Sequence, residues 1–196
     1  MQFAAGTYGS DSLGSILIDP GVSDDTAFRP ILTELNGMDV RAFIAMDSLQ
    51  IQDTLGQPVT AAFTMIQPPM EPVVGDRLRI KYFAQVIFAG TIDHVTKTTT
   101  DLSTILYQID CLDWSQILFR RKIRRTFSDL TIENILDSIL ASELANEGFT
   151  KGVIDSAVTL TLVDADAARV FDVCRDIAGA TGQTFYVDFD QSLQMR

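Results

Sequence analysis

Histidine, cysteine and tryptophan are nearly missing from this sequence, and each shortage removes a class of chemistry. His94 is the only histidine and Trp114 the only tryptophan among 196 residues. An ordinary zinc site wants more imidazole or thiolate than this. His94 also has no serine or cysteine nucleophile motif around it, so it makes no catalytic triad. The two cysteines, Cys111 and Cys174, lack CxxC spacing and read as two buried thiols. Positive charge is scarce as well: Lys and Arg number 15 against 26 Asp and Glu, a formal net charge of −11. So acidic a chain gains no counterion release on a phosphate backbone, which argues against nucleic-acid recognition. It suits a surface that DNA can pass without adhering. No apolar run approaches the about 20 residues of a membrane span, so no membrane insertion is expected. The opening "MQFAAGTYGSDSLGS" has neither the basic flank nor the apolar core of a secretory signal. Synthesis and folding in a cytoplasm are expected.

What is present is enough apolar material, 46% of the residues, to bury a real core. The length allows one large domain or two small ones. Residues 1–30 form a loose arm in which Gly6, Gly9, Gly14 and Gly21 are interrupted by Ile16-Leu17-Ile18. Such an arm is either a flexible terminus or a tether that orders against a partner. Without Walker spacing or a lysine it is no phosphate loop. Residues 31–113 alternate with period two. Strands are predicted over 43–51, 60–66, 77–83, 85–95 and 104–113, with a strong hairpin signal at Asn36-Gly37-Met38-Asp39. Short strands at this spacing argue for a small closed barrel or a sandwich.

The period changes after Trp114. Ile132, Ile135, Leu136, Ile139, Leu140 and Leu144 mark an amphipathic helix, with Thr131 as N-cap and Gly148 as its end. A strand over 158–163 follows. A second helix comes next, capped by Asp164 or Asp166, with Val170, Phe171, Cys174, Ile177 and Ala178 inward and Thr181-Gly182 at its end. A strand over 183–189 and a turn at Asp190-Gln191-Ser192 lead to a short return strand, 193–196. So short a return suggests a fragment of a longer chain, or an edge completed by another subunit. The fold class expected is α+β: an antiparallel β-barrel over 31–113, then a small α/β domain with two helices over 114–196, incomplete at its C-terminal side on the fragment reading.

The residues with chemical potential divide by what surrounds them. Arg120, Arg121, Lys122, Arg124 and Arg125 hold five of the fifteen positive charges. They read as a nucleic-acid patch, as a solvated connector, or as a contact with acidic surface on a subunit or partner, for which arginine's planar fork is suited. Asp164/Asp166 and Asp188/Asp190 read as caps and turns rather than as a metal site. Asp110 and Asp113 read as strand-end and helix-start residues. Trp114 reads as a core or inter-domain anchor, with an exposed sugar platform as the alternative. No catalytic residue, cofactor or metal site is assigned.

Several segments in order, "LNGMDVRAFI", "SLQIQDTLGQPVTAAFTMI", "VGDRLRI", "VIFAGTIDHV", "YQIDCLDWSQIL" and "RRKIRRTFSDLTIENILDSIL", followed by "FDVCRDIAGATGQTFYVDFDQSL", resemble a known family. It is the tail-tip or baseplate hub proteins of tailed bacteriophages, related to the hubs of contractile injection systems. The resemblance covers about residues 33–196. It implies a barrel-type hub domain before an α/β domain, and a non-enzymatic structural subunit in the virion tail, made in the host cytoplasm. It further implies a homo-oligomeric ring, a trimer, joining the tail tube to distal tail and spike or tail-tip proteins, with DNA passing through its lumen without specific binding. The alternatives are a receptor- or carbohydrate-binding module of a phage tail, using Trp114 or Tyr186, and a cell-wall hydrolase component using two carboxylates.

Overall fold

The alternating apolar residues after Ile31 build a sheet whose two faces differ. A computed structural model describes residues 31–196 apart from 55, 101–102 and 155–157; the arm expected over 1–30 lies outside the described residues. Seven strands come first: β1 (Ile31–Leu35), β2 (Met38–Asp39), β3 (Ile44–Gln52), β4 (Thr60–Ile66), β5 (Arg77–Tyr82), β6 (Gln85–Thr99) and β7 (Ile105–Asp113). They pair antiparallel in the order β2-β1-β5-β6-β7-β4-β3. The sheet curls into a half-barrel and, among the described residues, keeps two edges, β2 and β3, that hydrogen bonds do not join. In β4, Ala61, Phe63 and Met65 point inward, joined by Leu35, Ile80, Phe88, Ile92 and Ile109 from other strands. Each fully buried side chain of this size contributes about 1.5–3 kcal/mol.

The hairpin signal is carried by backbone chemistry. Asn36 and Gly37 both have positive φ, 49° and 81°, which the turn requires and these two residues tolerate. Asn36 also works through its side chain. Its amide donates to Asp76 Oδ1 at 2.8 Å and its carbonyl oxygen accepts from the Arg77 amide at 2.9 Å. Asp76 Oδ2 in turn accepts from Val73 N at 2.9 Å. The first hairpin and the turn before β5 are thus held as one piece.

Beyond Trp114 the elements are α1 (Ser115–Arg120), β8 (Lys122–Thr131), α2 (Ile132–Ser142), β9 (Thr150–Ile154), β10 (Thr159–Arg169), α3 (Val170–Thr181), β11 (Phe185–Val187) and β12 (Ser192–Met195). α1 is a helix beyond the two expected. Thr131 caps α2 as expected, its hydroxyl accepting from Asn134 N at 3.3 Å. α2 stops at Ser142, before Gly148, because the Glu143 and Leu144 amides both bond back to Ile139 and the chain turns. Leu144 is buried from that turn rather than from the helix. α3 ends at Gly182 in the left-handed region, φ 72°, as the Thr181-Gly182 pair predicts.

Two expectations are corrected here. Asp164 and Asp166 do not cap α3: they lie in β10, which runs on to Arg169 and pairs antiparallel with β8. The short return strand is no edge. β12 is the centre of a three-stranded sheet, antiparallel to β11 and parallel to β9, and all four of its residues are buried. Its Gln194 satisfies its buried amide on Ser192 Oγ and accepts from Val153 N, as burial of a polar group demands. A second apolar cluster forms around α2, α3 and the β8–β10 ribbon, with Ile123, Phe127, Ile135, Ile139, Cys174 and Leu193 in it.

Candidate interaction surfaces

The basic run is part of a built structure and not a loose connector. It spans the end of α1 and the start of β8. Arg120 Nη2 meets Asp93 Oδ1 at 2.7 Å, which ties α1 to β6 of the half-barrel. Arg121 pairs with Glu147. Arg125 donates to Ser138 Oγ of α2 at 2.5 Å and lies 6.0 Å from the Phe127 ring centroid. Lys122 and Arg124 are exposed, and their side chains make no hydrogen bond or ion pair among the described residues. The structure therefore gives the five cations different surroundings, with Arg125 alternating to the strand face opposite that of Lys122 and Arg124.

Trp114 sits where β7 hands over to α1. Its indole is 8% exposed, its Nε1 donates to the Phe189 carbonyl at 3.1 Å, and the Arg77 guanidinium lies 5.6 Å from the ring centroid. Strand β5, the tryptophan and the turn before β12 thereby meet, which is the anchor expected and leaves no open face for a sugar. Gln116 of α1 adds a bond to Thr91 at 2.7 Å. Asp113 accepts from Ser115 Oγ at 2.6 Å. Burial pushes its carboxyl above the ordinary range, with the Asp53 charge adding to the rise, while the Ser115 and Val59 hydrogen bonds oppose it.

The remaining candidates take ordinary structural parts. Asp188 accepts from the Phe189 amide and Asp190 from both Ser192 N and Ser192 Oγ, as turn residues do. Asp164 accepts from Thr126 Oγ1 across the ribbon. His94 is exposed, its Nε2 3.1 Å from Thr96 Oγ1. Cys111 and Cys174 are free and buried, and desolvation pushes both thiols up, Cys174 to about 12. Neither is a thiolate at neutral pH. One shallow cleft, lined by Arg79, Gln85, Val86, Asp188, Phe189 and Asp190, lies between the half-barrel and the turn before β12. Phe189 is 41% exposed and Tyr186 37%. Among the described residues no helix is long and apolar enough to cross a membrane, and no group of three metal-ligating side chains occurs.

No protein-family model matches the sequence, and no curated protein matches it. Solved structures do. The 43 kDa tail protein of prophage MuSo2 from Shewanella oneidensis superposes with a TM-score of 0.66 over 85% of this chain and 52% of its own, at 13% identity. The chain has the phage tail-protein fold. A tail protein from Neisseria meningitidis gives 0.63 over 85% of this chain and 49% of its own, also at 13% identity. The tail-protein fold extends to an E. coli component of the type VI secretion system, itself described as similar to the T4 tail proteins gp27 and gp5. That match gives 0.54 over 83% of this chain and 47% of its own, at 11% identity. The chain spans about half the length of these tail-fold structures. The half-barrel followed by an α/β unit is thus a recurring tail architecture.

One residue of the basic surface escapes sequence reading. Arg169 stands directly across from Lys122 in the β8–β10 register. It is 47 positions away in the chain. Only the strand pairing joins them, and no local pattern announces it.

Proposed function

We propose that this chain is a structural subunit of a phage tail tip or baseplate hub. It forms an oligomeric ring, a trimer, that connects the tail tube to the tip or spike. The observation that carries this reading is the match of 85% of the chain to tail proteins that share its half-barrel and α/β order. The work of such a part is geometric, so the reading is non-enzymatic and places the chain in the virion tail. Residues 31–113 and 114–196 serve as its two domains, joined at Trp114. The surface around Arg120, Arg121, Lys122, Arg124 and Arg125 is the subunit or partner contact. A net charge of −11 suits a lumen past which DNA slides. The test is the solution mass of the purified protein together with negative-stain images, alone and mixed with tail-tube protein. Threefold rings that cap tubes are expected; a chain that stays monomeric and ignores tubes overturns the reading.

A second reading, a carbohydrate-binding module, is supported by the cleft. Phe189 offers a stacking face, with the planar polar groups of Arg79, Gln85, Asp188 and Asp190 around it. Saturable binding of host surface glycan, lost in Phe189→Ala, would favour it over the ring.

A further inference from the structure

The β8–β10 ribbon sorts the cations near the basic run into two sets. Arg120, Arg121 and Arg125 are committed within the chain, to Asp93, Glu147 and Ser138. Lys122 and Arg124 are not. Two apart on one strand, they share a face, and the register sets Arg169 opposite Lys122 and Asp166 opposite Arg124. Farther along this face come Thr126 with Asp164 and Ser128 with Leu162, all exposed. The opposite face carries Ile123, Phe127 and Ala165 into the core. Like charges directly across an antiparallel pair repel and destabilise it. Among the described residues no acid forms an ion pair with Lys122 or Arg169. Lys122 and Arg169 thus face each other without an acid ion-pair partner, on a face where Asp166 stands opposite Arg124 and Asp164 opposite Thr126.

We propose that Lys122, Arg124 and Arg169 dock onto the acidic edge of the half-barrel in a second copy of this chain, around Asp47, Asp53 and Asp110. This rests on the oligomer reading above and names its contact. Asp47, Asp53 and Asp110 are exposed and have no cation partner among the described residues. Asp47 lies on β3, the edge strand, and Asp53 just beyond its end. Asp110 falls in the row Gln50–Ala62–Asp110, two strands in from that edge. The two surfaces are different patches of opposite charge, so their pairing between copies is a heterologous contact. Such a heterologous contact closes a ring when the rotation permits. Opposite potentials on two such faces also steer encounter and fix register.

The test is sedimentation of the full chain and three variants, with circular dichroism to confirm that each is folded. Lys122→Glu/Arg124→Glu/Arg169→Glu and Asp47→Lys/Asp53→Lys/Asp110→Lys should each weaken association by roughly tenfold or more. The chain carrying all six substitutions should recover it, because both faces are then reversed together. High salt should mimic the reversals in the wild type. Folded variants that associate like the wild type overturn the docking and leave the ring standing. A wild type that is strictly monomeric removes both. Duplex DNA binding by the wild type, lost in the Lys122/Arg124/Arg169 variant, would assign the face to a polyanion instead.

Discussion

At the scale of single residues, the junction between the two halves is the most demanding part of the molecule. Asp113 keeps a carboxyl in a place that disfavours its charge, and the folded chain therefore holds that proton more tightly than the unfolded chain does. Its contribution is fully present below the ordinary aspartate range and is lost as pH rises through the raised folded value. Asp113→Asn keeps an acceptor for Ser115 Oγ but removes the titration. The variant should match the wild type in acid and gain stability on it toward neutral pH. Thermal melts at several pH values would read this, and parallel curves for the two proteins would show that Asp113 is not the group responsible. Its neighbour Ser115 makes sense in the same terms: its hydroxyl helps the carboxylate that burial penalises.

At the scale of elements, the ends matter more than the middles. α3 closes on Gly182 at φ 72°, with its amide bonding back to Gly179 and the next amide to Ala178. Gly182→Ala forces a Cβ into left-handed backbone and should cost about 1 kcal/mol in denaturant melts; no loss at all would mean the cap has another conformation open to it. Most elements are legible from pattern alone. β4 alternates cleanly, α2 shows its apolar stripe, and the Asn36-Gly37 turn declares its own geometry. β8 is not legible, for a definite reason. By alternation Arg125 falls between Ile123 and Phe127 on the core-side face, and its long stem lets the guanidinium reach Ser138 and solvent. A cation at an inward position breaks the period-two signal, so the strand reads as a charged connector. Losing β8 also hides the true length of β10, which is why Asp164 and Asp166 pass for helix caps. Once β8 is in place, both become partners across a ribbon. The contact surface suffers the same way, because Arg169 joins Lys122 only through a register that the sequence does not display.

At the scale of the whole molecule, two apolar clusters are bridged by few polar contacts, chiefly Trp114 with Phe189, Arg120 with Asp93 and Gln116 with Thr91. Trp114→Ala removes the largest of these and should cost about 3–5 kcal/mol. Calorimetry should then resolve two unfolding events where the wild type gives one; a single, merely lowered transition would mean the halves depend on each other through more than the indole. The placement of β12 carries a consequence for how the chain is made. Every described strand of the half-barrel comes from residues 31–113, so that sheet can assemble while the ribosome is still translating the rest. The second half has no such freedom, since β9 is parallel to β12 and does not pair with β11, so it must wait for Ser192–Met195 to be inserted between them. Long-range parallel pairing of this kind is slow and exposed to misassociation. A nascent chain released before Met195 would therefore carry a finished half-barrel and an unfinished partner, a mixture that quality control in the cell is well placed to remove.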